Sequence, residues 1–118
     1  MSLAILAAAA FVVVLSMALG DLGIFFLARA KAQTAADAAA LAAAAELIPG
    51  IGRDPARFAR SYADRNGATL IECRCSSDSD EVQVRVKVEV NFMVLDGPSE
   101  GFVTARGRAE VDLDRLYR

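Results

Sequence analysis

Cys73, Cys75 and Asp21 are the residues of this 118-residue chain whose type and placement raise a chemical question. Two thiols separated by one residue could bridge, hold a metal or exchange electrons. In an extended strand, residues i and i+2 have Cα atoms ~6.5–7 Å apart, at or beyond the upper limit for a disulfide, so a bridge within the chain requires a bulge. A lone Cys-x-Cys without histidine or further thiols is a poor metal site. Buried structural cysteines are the leading reading, ahead of a strained or intermolecular disulfide and, last, a metal. Histidine is absent, which removes the commonest general base and the commonest metal ligand. No G-x-S-x-G, P-loop or HExxH pattern occurs, so no catalytic, cofactor-binding or metal-ligating residue is assigned and the chain is read as a non-enzyme. The acidic run SSDSDE lacks the spacing of an EF-hand loop and reads as a solvated hairpin turn. A net charge of −2 gives no basic footprint, so nucleic acid is not an expected partner.

Asp21 stands between Gly20 and Gly23 inside an apolar stretch that starts at Leu3 and runs to Ala28, with Ser16 as its other polar side chain. At ~1.5 Å per residue, about 20 helical residues cross a ~30 Å hydrocarbon core, so the stretch is long enough to span a membrane. A cleaved signal peptide fits less well than a retained span, because no basic segment precedes the stretch and it exceeds an ordinary apolar h-region. After Ala28 the run RAKAQTAADAAALAAAAEL has no Gly or Pro until Pro49, so the helix is expected to continue to about residue 48. Its small side chains suit close packing against helices of other copies better than a solvated spacer. Polar groups within a span usually face protein. Asp21 is expected either to meet Arg29, Lys31 or an N-terminal amine of a second copy, or to sit at the membrane boundary with its carboxylate in the headgroups.

Residues 49–118 read as a head built on the C-terminal half of that helix. Asp54 as N-cap, Pro55 at N1 and Asn66-Gly67 as exit predict a short helix over 55–66, with Phe58, Ala59, Tyr62 and Ala63 marking its buried face and Arg57, Arg60 and Arg65 its wet face. Strands are expected at about 68–75, 81–95 and 102–114. The second alternates most strictly, with Val82 through Val94 on one face and Gln83, Arg85, Lys87, Glu89 and Asn91 on the other. Short connections favour a three-stranded antiparallel meander, and the small residues Ala105, Gly107 and Ala109 mark where a helix comes close. The expected fold class is α+β: a long N-terminal helix, a short helix and a β-meander.

This layout resembles the type IV pilin superfamily. More narrowly, LARAKAQTAADAAALAAAAEL is similar to the segment found in TadE/TadG-like proteins of Tad (Flp) pilus systems, and RFARSYADRNGATLIECR continues in the manner of the actinobacterial TadE-like secretion-neighbourhood family. The resemblance covers about residues 1–75. It implies a pilin-like subunit, stored in the plasma membrane as a single-pass precursor and polymerised by a membrane-embedded assembly machinery into a helical homo-oligomer at the cell surface. The alternative is a bitopic minor pilin or assembly adaptor that does not itself form the filament. The superfamily generally carries a glutamate near position 5 of the mature chain, where this numbering has Ile5, and no basic leader stands before Met1. Either the numbering starts near the mature end or this branch assembles without that carboxylate, and Asp21 takes a comparable electrostatic role by proposal rather than by alignment. Under the positive-inside rule Arg29 and Lys31 would hold the head in the cytoplasm, whereas pilin-like proteins place it outside. Packing between copies is expected to fall on Phe11, Val14, Gly20, Asp21, Gly23, Phe25, Phe26 and Arg29, and no cofactor is expected.

Overall fold

A computed structural model describes residues 2–48, 54–92, 101–116 and 118. Helix α1 (Ser2–Ala45) is followed by α2 (Pro55–Arg65), strands β1 (Thr69–Arg74), β2 (Glu81–Glu89) and β3 (Phe102–Glu110), and a final turn of helix α3 (Leu113–Leu116). The fold is α+β, and its longest dimension is 79 Å. Most of that length is α1, whose 44 residues span about 66 Å at 1.5 Å each. The helix ends three residues short of the sequence expectation. Glu46 and Leu47 donate to the carbonyls of Ala43 and Ala44, three residues back, so the last turn tightens before the chain leaves.

The strands pair antiparallel in the order β1-β2-β3, a meander. In β2, Val82, Val84, Val86 and Val88 are buried and the intervening residues are not, as the alternation requires. That apolar face is covered by the second half of α1, which contributes Ala28, Ala32, Ala35, Ala36, Ala39, Ala40, Ala43 and Ala44 to the core. The helix lies so close to β3 that a Cβ on Gly107 would run into the backbone carbonyl of Ala36. Gln33 Nε2 donates to the Arg106 carbonyl at 3.0 Å, fixing the same approach from the side. The head is thus not a unit beside the helix; half of α1 is its core.

Four details depart from the sequence expectation. Helix α2 has its predicted start, with the Asp54 carboxylate accepting from Arg57 N–H and Pro55 at N1, and its predicted exit through Gly67 at φ 72°. Its buried face, however, is Ala59 and Ala63; Phe58 and Tyr62 remain 40% and 38% exposed. Alanine against alanine lets α2 sit close to α1, which leaves the two rings on the flank. Strand β1 carries a bulge between Leu70 and Glu72, so Leu70 and Cys73 both face the core and Ile71 is displaced to the surface. Strand β2 stops at Glu89, although Val90 stays buried and donates its N–H to Gly101. The expected residues 93–95 of that strand lie outside the described residues. Strand β3 stops at Glu110, opposite the first residue of β2, because no neighbour continues. Val111 N–H then bonds to the Asp80 carbonyl, and Asp112 accepts from Arg115 N–H to start α3.

Candidate intersubunit surfaces

The N-terminal stretch of α1 is exposed along its length. Every described residue from Ser2 to Met17 is exposed, Phe11 at 68% and Val14 at 58% among them. No described residue of this first stretch packs against the head. From Ser2 to Gly20 the helix rises about 28 Å, close to the ~30 Å hydrocarbon thickness of a bilayer, and its exposed part up to Met17 about 24 Å. The helix is long and apolar enough to cross a membrane.

Asp21 is where the bareness ends. It is the first fully buried residue of α1, at 0% exposure, and its own chain does the burying. Asp21, Phe25, Ala28 and Ala32 follow one another at helical spacing on the core side. Gly23 and Leu27 fall on the opposite side, Gly23 open to space and Leu27 72% exposed, while half-buried Gly20 lies on the flank. Phe26 is 59% exposed, edge-to-face with the half-buried Phe25 at 5.9 Å between centroids, and Arg29 is exposed. The eight residues expected at a contact between copies are therefore distributed around the helix and do not share one face.

Cys73 and Cys75 are paired as a disulfide, with Cα atoms 5.4 Å apart. The chain reaches this spacing by leaving strand geometry after Arg74, following the bulge at Ile71. Free buried thiols, the leading sequence reading, are not what the structure contains.

The outer face of the sheet is the feature that sequence reasoning passed over. The register sets Glu72 beside Arg85 and Arg85 beside Arg106, with Arg74, Gln83 and Arg108 in the adjoining row. These residues line a shallow concavity of about 270 Å³. Glu72 bridges Arg74 at 2.9 Å and also pairs with Arg85, while Glu81 takes Arg108 at 3.0 Å. The Arg74 guanidinium first, and Arg85 next, hold the Glu72 carboxyl below its ordinary value of 4.5. The Nε of Arg85 is shielded from water and has no acceptor among the described residues. Strand alternation alone places Arg85, Arg106 and Arg108 on wet faces; their meeting depends on strand register, which the sequence does not display.

Residues 1–46 match the family described as putative Flp pilus-assembly TadE/G-like, a match that coincides with α1 and does not extend into the sheet. No curated protein and no solved structure matches the chain. Pilus assembly, not an enzymatic reaction, is what this family is described by. Bare apolar rod and family match coincide: residues 1–46 are similar to the TadE/G-like family of putative Flp pilus-assembly proteins, and the helix they form is long and apolar enough to cross a membrane.

Proposed function

We propose that this chain is the polymerising subunit of a Tad-like pilus, held in the plasma membrane by residues 2–20 and transferred into a helical filament at the cell surface, rods inward and heads outward. The observation that carries the reading is the naked first half of α1. Ten large apolar side chains between Leu3 and Leu19 are 45% or more exposed. At about 1.5–3 kcal/mol for each such side chain removed from water, their exposure would cost on the order of 15–30 kcal/mol, so the rod must lie in lipid or among other rods. Lipid and rod bundle are nearly equivalent by hydrophobicity, and the choice between them falls to van der Waals packing of small residues. Gly23 and the exposed alanines beyond it permit helices to approach closely. Transfer between two such similar environments calls for an assembly machinery.

The test is electron microscopy of surface material from cells that carry the chain and its assembly machinery, with antibody labelling of the head. Regular fibres labelled along their length are expected. Label confined to fibre tips or to the membrane would replace this reading with that of a minor pilin or assembly adaptor.

A further inference from the structure

Resting on the reading of the chain as a filament subunit, we propose that the arginine face of the sheet receives the acidic end of the head of a second copy. Arg74, Arg85, Arg106 and Arg108 stand in two adjoining rows across three strands, with Glu72 and Glu81 as the carboxylates among them. Arg85 is directly opposite Arg106, an unfavourable placement for like charges in an isolated sheet. Both oxygens of Glu72 are occupied by Arg74 and Arg85, and Arg106 has no ion pair among the described residues. The Arg85 Nε adds a shielded donor without an acceptor. The face is built with more donors than its own carboxylates satisfy, and guanidinium groups so arranged suit carboxylates brought from outside.

The same chain carries such carboxylates elsewhere. Asp80, Glu110, Asp112 and Asp114 line a second concavity at the end of the sheet, where Val111 N–H to the Asp80 carbonyl at 2.8 Å ties the two acidic segments together. Among the described residues no group of three or more acids, cysteines or histidines is arranged to hold a metal ion. Charge complementarity between two different patches of one chain makes a heterologous contact, the kind that repeats into an open helical polymer instead of closing as a dimer. The contact also supplies what the rods lack. A surface of valine, leucine and alanine adheres without a strong preference for stagger, whereas paired charges fix register and exclude wrong neighbours.

Two charge-reversed full-length chains test the contact, each produced with the assembly machinery: Arg106→Glu with Arg108→Glu, and Asp80→Lys with Asp114→Lys. Each alone is expected to lower filament yield at least tenfold. Produced together they are expected to restore it, because the acidic end of the first fits the unaltered arginines of the second, and the lysine end of the second fits the reversed face of the first. Thermal melts in neutral detergent establish that the heads fold; should the double arginine reversal fail to fold, Arg106→Glu alone replaces it in the same mixture. Wild-type yield from either variant alone overturns the contact. So does a mixture that stays defective, the result expected if the face serves an anionic ligand other than this chain. Both leave the filament reading standing, whereas labelled fibres missing from the wild-type chain under the same conditions overturn that reading itself.

Discussion

A Cβ built on Gly107 would collide with the carbonyl group of Ala36 and stand 3.0 Å from the amide nitrogen of Asp37. Both obstacles are helix backbone, which cannot rotate away as a side chain would. Gly107→Ala is therefore expected to destabilise the head by about 3 kcal/mol, the upper part of the range for overpacking, seen as a melting temperature lower by roughly 10 °C or more in detergent. An unchanged melt would mean that α1 does not lie where the structure puts it. Glu72 makes the stability of the sheet face depend on pH. Its folded pKa is lowered, so the stabilisation it supplies through Arg74 and Arg85 is present above its ordinary value of 4.5 and is lost as pH falls through the lowered value. Glu72→Gln is expected to melt slightly below wild type at neutral pH and to converge with it in acid. Divergence growing toward acid would contradict the sign. The pair is exposed, so the effect is a small one.

Among the elements, β1 concentrates what the sequence conceals. Its disulfide closes a loop of sequence separation 2, and chain entropy for so short a loop supplies only about 1.5 kcal/mol. Cys73→Ser with Cys75→Ser is expected to keep the fold with a modestly lower melting temperature, and wild-type thiols are expected to alkylate only after reduction. Ready alkylation of the untreated protein would refute the bridge. The bulge that precedes it inserts one residue into a strand of six, too short a pattern to betray a change of phase. Longer patterns were readable: five valines from Val82 to Val90 alternate over a length no helix could mimic, and the Asp54-Pro55 start and Gly67 exit of α2 rest on local backbone chemistry. Phe58 and Tyr62 misled because large rings normally outrank alanine in a core, and here the partner surface is itself alanine. The same limit applies to the candidate contact surfaces. The bare rod shows in hydropathy, but the burial of Asp21 and the meeting of Arg85 with Arg106 arise from tertiary packing and strand register.

For the whole molecule, the division that matters runs across α1 and not between helix and head. Residues up to Met17 are all exposed, whereas Ala28 through Ala44 supply eight of the buried side chains on which the sheet and α2 close. A chain of residues 21–118 keeps that core and loses the ten exposed apolar side chains of the rod. It is expected to dissolve without detergent, to run as a monomer in sedimentation, and to melt cooperatively with the sheet signal of the full chain in circular dichroism. A chain of residues 49–118 retains every strand and α2, yet nothing covers the faces of Val82, Val84, Val86 and Val88, or of Ala59 and Ala63. Four valines exposed together would lose about 6–12 kcal/mol, more than a head of this size can spare, so this shorter chain is expected to be unfolded or aggregated. Were residues 49–118 to fold alone, α1 would be a stalk attached to a finished domain. Were residues 21–118 to aggregate, the bare rod would not be the part of the molecule that demands lipid or neighbours.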